Sequence, residues 1–186
     1  MKKALLCIIA TIATFACINA QQKEFSQVSL SKKLTTVDNT QITFAEILKK
    51  HEGKVTLIEV WASWCGDCVK AMPKLKELQA KNPGVDYVFI SMDKVLDKWL
   101  TGIKTHELDG AHYWATDGMK GEFGKSIDLD WIPRYIVIDK NGGIVIYRAI
   151  ETDFDKINEQ LQALEPNDGK VKKTIEKEKK PVKLYK

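Results

Sequence analysis

The sequence predicts an α/β domain with a central mixed β-sheet flanked by helices, and three observations lead there. Two β-branched apolar runs, residues 55–61 (VTLIEVW) and 85–91 (VDYVFIS), read as buried core strands joined by a helical stretch over 69–80. Residues 135–139 and 144–148 read as strands around Lys140-Asn141-Gly142-Gly143, a strong hairpin signal. An amphipathic helix opening at Asp153, with Phe154, Ile157 and Leu161 inward, closes the domain.

The remaining elements follow in order. Residues 29–37 suggest a strand, closed by a turn at Asp38-Asn39. Thr43-Phe44-Ala45-Glu46 has capping-box spacing, so a short helix should run through Ile47 and Leu48 to about Lys50 and stop before Gly53. Pro73 removes a hydrogen bond from the 69–80 helix and should kink it, and Asn82-Pro83-Gly84 breaks the pattern. Residues 93–106 look helical, with Val95, Leu96, Trp99, Leu100 and Ile103 on one face. A short strand at Tyr113-Trp114-Ala115 and a short helix over 119–126 complete the list, with no internal repeat and no second domain.

The ends differ from the middle. Residues 166–186 carry eight Lys against Asp168, Glu176 and Glu178, a balance of +5, so with Lys2 and Lys3 removed the centre holds −3 of the net +4. The basic pI therefore belongs to the termini and argues against a nucleic-acid-binding core. Lys2 and Lys3 precede an uncharged apolar run to Ile18, and Ala20 offers a small residue before Gln21, the pattern of an export leader over residues 1–20. An uncleaved signal anchor, or a lipid on Cys17, is the alternative. The domain proper is expected over 21–165. The Lys-rich 166–186 stretch has too little apolar content to offset its ordering entropy and reads as a disordered tail, with a weak contact to a membrane or an acidic partner as the sharper reading.

Removing the leader removes Cys7 and Cys17, leaving Cys65 and Cys68. Two intervening residues make a poor structural staple, because so short a loop removes little chain entropy. One short-spaced pair in an oxidising compartment points to chemistry. Zinc would need two more ligands, and His51, His106 and His112 show no ligand spacing. No metal and no cofactor beyond the Cys65–Cys68 disulfide is expected. At the start of a helix, Cys65 would sit beside unpaired backbone N–H groups and the positive end of the dipole, both of which favour the attacking thiolate. Cys68, one turn on and more buried, would resolve the mixed disulfide.

The run Glu59-Val60-Trp61-Ala62-Ser63-Trp64-Cys65-Gly66-Asp67-Cys68, ending a strand and starting a helix, resembles the thioredoxin superfamily. Ile132-Pro133, 65 residues after Cys68 and directly before a core strand, matches the family's cis-proline loop. The resemblance implies that Pro133 is cis, that the Ile132 backbone pairs with substrate, and that Trp64, Gly66 and Asp67 line the same surface. It also places Glu59 where the family has a buried acid, a proton acceptor for Cys68; a strand-edge acid paired with Lys54 or Lys70 is the bland alternative. Trp61 and Trp64 are expected around the disulfide, and Trp99, Trp114 and Trp131 in core or groove. The similarity is closest to exported reductases of the TlpA/ResA group, linked to cytochrome c biogenesis, and spans roughly residues 29–164.

Four positions depart from that pattern. Asp67 replaces a frequent proline, and its charge should disfavour the Cys65 thiolate and favour a reducing pair. Arg134 follows Pro133 where Thr is frequent and would offset Asp67 or bind an acidic partner. Trp131 replaces a common glycine and should narrow the groove. Ala71 stands where some relatives carry Glu. The expectation is an exported, periplasmic or cell-envelope thiol–disulfide oxidoreductase that reduces protein disulfides and draws electrons from a membrane-bound donor. The alternatives are a disulfide oxidase or isomerase, a peroxiredoxin-like peroxidase (for which no Pro-x-x-x-Thr-x-x-Cys pattern is present), and a Cu(I)-binding metallochaperone, whose relatives space their cysteines by three and add a His.

Overall fold

The computed structural model describes residues 22–165; the leader read over 1–20 and the Lys-rich end over 166–186 lie outside the described residues. Thirteen elements follow in order: α1 (Gln27–Leu30), β1 (Lys33–Thr36), β2 (Gln41–Thr43), α2 (Phe44–Lys50), β3 (Thr56–Trp61), α3 (Gly66–Lys81), β4 (Asp86–Ser91), α4 (Leu96–His106), β5 (Ala111–Trp114), α5 (Glu122–Ser126), β6 (Arg134–Ile138), β7 (Ile144–Ala149) and α6 (Phe154–Leu164). The strands form one mixed sheet in the order β2-β1-β5-β4-β3-β6-β7. β3 lies parallel to β4 and antiparallel to β6, so both its neighbours are core strands and all six of its residues are buried. That is why its sequence is a continuous apolar run rather than an alternation.

The crossovers from β3 through α3 to β4, and from β4 through α4 to β5, step in the same direction along the sheet. Right-handed connections therefore place both helices on one face. Glu59 and Trp61, two apart on β3, share that face. A methyl group on Gly102 of α4 would come within 3.0 Å of the Trp61 ring, so the missing side chain is what lets α4 settle on the tryptophan. Tyr135, opposite Glu59 in register, packs on Phe154 of α6 with ring centroids 5.2 Å apart.

Local sequence explains most boundaries. Thr43 and Glu46 form the reciprocal capping box of α2, with Thr43 N–H donating to Glu46 Oε2 at 2.8 Å and Glu46 N–H to Thr43 Oγ1 at 3.2 Å. Gly142, at φ +85, makes the β6–β7 turn, and Asp139 Oδ1 accepts from the N–H groups of Asn141 and Gly143 at 2.9 Å each. α3 continues through Pro73.

Several boundaries differ from the sequence reading, α3 starting at Gly66 rather than at residue 69 and β5 at Ala111 rather than at Tyr113. The first part of the 29–37 strand is helical, because Ser26 caps α1 by accepting from Ser29 N–H at 3.1 Å, and the strand begins only at Lys33. α4 starts at Leu96 rather than Asp93, whose side chain is engaged elsewhere. α5 starts at Glu122, whose N–H donates to Asp117 Oδ2, rather than at Met119.

Candidate active site

β3 delivers the chain to the carboxyl edge of the sheet, and α3 begins immediately after Cys65. Cys65 is the N-cap of α3, and its sulfur accepts from the Cys68 N–H at 3.1 Å. A helix N-terminus leaves its first amides without intrahelical partners, so one of them is spent on the sulfur. Cys65 and Cys68 form a disulfide with Cα atoms 5.2 Å apart. Their burial is unequal: Cys65 keeps 6% of its surface and Cys68 none. Of the two cysteines, only Cys65 keeps any exposed surface.

The loop before β6 faces this pair. The Ile132-Pro133 peptide bond is cis, and the Ile132 carbonyl oxygen lies 3.5 Å from Cys65 Sγ. Two large apolar side chains flank the contact and stand in solvent, Trp64 at 61% exposure and Trp131 at 52%. Gly66 is exposed, and nothing lies within 4 Å of where its Cβ would be. Asp67, half-exposed, points toward Lys70 with an O···N distance of 3.6 Å.

Beneath the site lies Glu59. It is fully buried in β3, and no lysine pairs with it among the described residues; Lys70 turns instead to Asp67. Its Oε1 accepts from the Tyr135 hydroxyl at 3.2 Å, while Oε2 has no hydrogen-bond partner. Loss of hydration pushes the carboxyl up to about 8, against a smaller downward pull from the Tyr135 hydroxyl. A carboxyl in this state exchanges its proton near pH 8 rather than in the usual carboxylate range.

One expectation needs correction. Arg134 is not offered to Asp67 or to an acidic partner: its side chain is buried, its Nη2 donates to Asp130 Oδ1, and its guanidinium lies 6.0 Å from the Tyr147 ring centre. The reason is register, since Arg134 opens β6 beside Val60, inside the sheet. Trp61 is wholly buried under α4 and edges against His106. Trp99 and Trp114 stack on each other at 5.7 Å.

Asp93 escaped the sequence reading. It is buried just past the end of β4, and its carboxylate accepts from Ser63 N–H at 3.0 Å, Ser63 Oγ at 2.7 Å and Ser91 Oγ at 2.8 Å. Ser63 precedes Trp64-Cys65, so Asp93 holds the turn that presents the nucleophile. A Ser-x-Asp at the end of a core strand was the available signal, but only the pairing of β4 with β3 gives it meaning.

A cysteine pair capping a helix at the carboxyl edge of a mixed sheet, opposed by a cis-proline loop, defines a thioredoxin-fold dithiol oxidoreductase. Comparison with known proteins agrees. The Redoxin family model matches residues 19–164, and the chain belongs to that family, on the TlpA/ResA-like side of the thioredoxin superfamily. It is 26% identical to the thiol-disulfide oxidoreductase ResA of Bacillus cereus over 121 residues, 64% of this chain and 68% of the relative. To a thiol:disulfide interchange protein TxlA homolog of Synechocystis it is 28% identical over 165 residues, 88% of this chain and 76% of the relative. A secreted Mycobacterium tuberculosis disulfide oxidoreductase homologous to E. coli DsbE superposes with a TM-score of 0.59 at 19% identity, covering 75% of this chain and all of that one, which speaks to the fold. The protein is a thiol–disulfide oxidoreductase with Cys65 and Cys68 as its redox pair.

Proposed function

We propose that the protein acts outside the cytosol as a reductase of protein disulfides. The observation that carries the mechanism is the unequal burial of the two sulfurs at the start of α3. In the reduced protein the Cys65 thiolate attacks one sulfur of a substrate disulfide, forming a mixed disulfide and releasing the other substrate sulfur as a thiolate, which takes a proton from solvent. Cys68 then gives its proton to the Glu59 carboxylate and attacks Cys65 Sγ. The second substrate thiol leaves, and the Cys65–Cys68 disulfide remains. The substrate gains two electrons and the dithiol loses two. Ile132 offers its backbone to the incoming chain beside Pro133, and Trp64 and Trp131 cover its flanks.

The reducing direction is supported by Asp67, a negative charge within the motif that works against the Cys65 thiolate. Export is supported by the leader pattern over residues 1–20 and by the secreted neighbour among known structures. Electrons would come from a membrane-bound donor, and the Lys-rich 166–186 segment is suited to an anionic surface. A second reading, disulfide oxidase or isomerase, is favoured by the amide that Cys68 donates to the Cys65 sulfur, since it stabilises a thiolate there. The reduction potential of the chain starting at Gln21 separates the two. A value near thioredoxin's, about −270 mV, supports the reductase; one near about −120 mV, typical of a strong oxidant of this fold, overturns it.

A further inference from the structure

The loop that faces the disulfide is gripped from behind by charges that thiol chemistry does not use. Asp130 lies one residue before Trp131, and each of its oxygens takes a different guanidinium: Oδ1 accepts from Arg134 Nη2, and Oδ2 from Arg148 Nη2. Arg148 Nη1 also donates to Asp128 Oδ2, and Arg134 Nη2 lies 3.4 Å from the Asp128 carbonyl oxygen. Arg134 stands on β6 and Arg148 on β7, so two hydrogen-bonded strands hold the same short segment. The Tyr147 hydroxyl adds a third hold, donating to the Ile127 carbonyl at 2.8 Å. Asp128 itself adopts φ +50, a left-handed conformation that Asp tolerates better than most side-chain-bearing residues.

An isolated exposed ion pair does little, but this one includes Arg134, a residue with 1% of its surface exposed. Taking away the carboxylate would leave that cation buried and unopposed. The clamp directly precedes the run Trp131-Ile132-Pro133, whose Ile132 carbonyl lies 3.5 Å from Cys65 Sγ.

We propose that Asp130, clamped between Arg134 and Arg148, is a positioning residue that fixes Trp131-Ile132-Pro133 against Cys65 and thereby governs docking of a protein disulfide. The inference rests on the exchange activity proposed above, and it separates two substrate sizes. A protein disulfide must lay its backbone along this loop. A small disulfide needs only the sulfur.

The test is dithiothreitol-driven reduction of insulin and of 2-hydroxyethyl disulfide by wild type, Asp130→Ala, Arg148→Gln and Arg148→Lys. Asp130→Ala raises KM for insulin about tenfold and Arg148→Gln severalfold, as expected when a reacting backbone is displaced by a fraction of an ångström. Turnover of the small disulfide stays near wild type, and Arg148→Lys recovers part of the insulin affinity. Folded variants with wild-type KM for insulin overturn the proposal, as do equal losses on both substrates. If Asp130→Ala does not fold, Arg148→Gln, altered at a partly exposed side chain, decides alone. A wild type that turns over neither disulfide overturns the exchange reading and this inference with it.

Discussion

Two buried carboxylates sit on either side of the cysteine motif, and the protein treats them in opposite ways. Glu59 and Asp93 are each 1% exposed. Asp93 receives three hydrogen bonds on its carboxylate, from Ser63 N–H, Ser63 Oγ and Ser91 Oγ. Glu59 receives one, from Tyr135, and keeps Oε2 bare. Burial alone therefore does not decide what an acid does. Solvated by protein donors, a carboxylate is a fixed strut; left nearly dry, it is a proton store. The strut holds the turn that carries Cys65, and the store lies beneath the pair.

Removing the store has the largest expected effect. Glu59 binds its proton more tightly folded than unfolded, with the carboxyl raised from 4.5 to about 8. The unfolded chain therefore loses that proton first, and stability falls as pH climbs from about 4.5 to about 8, then levels. Linkage puts that loss on the order of 5 kcal/mol. Glu59→Gln should flatten the slope, giving a higher Tm than wild type at pH 9 and little change at pH 4 in thermal melts. Its pH–rate profile should also lose the inflection near pH 8.

Removing the strut comes next. Asp93→Ala leaves three donors without their acceptor and should cost about 3 kcal/mol in urea unfolding. A loss below about 1 kcal/mol would mean that Asp93 is not the strut of the turn. Tyr135→Phe deletes the only donor to Glu59 among the described residues, at about 1 kcal/mol, and should move the pH–rate inflection upward. A downward move would mean that Tyr135 does not stabilise the charged carboxylate. Asp67→Asn is the mildest change. Half-exposed and facing Lys70, Asp67 is expected to set the redox couple by only about 10–20 mV, with the asparagine variant the less reducing, as read in a thiol–disulfide buffer series.

The same contrast shows what the sequence could reveal. Core strands, the hairpin, the capping box and the Cys65–Cys68 pair rest on local signals, the cis bond before Pro133 rests on the family resemblance, and the structure has each of them. Glu59 was legible because an acid inside VTLIEVW is chemically conspicuous. Asp93 was not, because Ser63 lies 30 residues away and meets it only through strand pairing. Arg134 misled for a related reason: its place next to Pro133 suggested a groove residue, whereas register turns it inward to Asp130. Ser26 and Ser29 bent the chain into a helical turn where the residue types alone suggested a strand.

The Cys65 sulfur is the cap of α3 as well as one half of the redox pair. Reduction changes the cap from a neutral sulfur to a thiol or thiolate, while the short Cys65–Cys68 loop contributes little chain entropy in either state. Folding and electron transfer are then two legs of one thermodynamic cycle. The gap between the folded pair's potential and that of the unfolded chain equals the stability difference between oxidised and reduced protein, about 1.4 kcal/mol for every 30 mV. Two melting curves, one for each redox form, therefore weigh the electrons this helix end is built to hold.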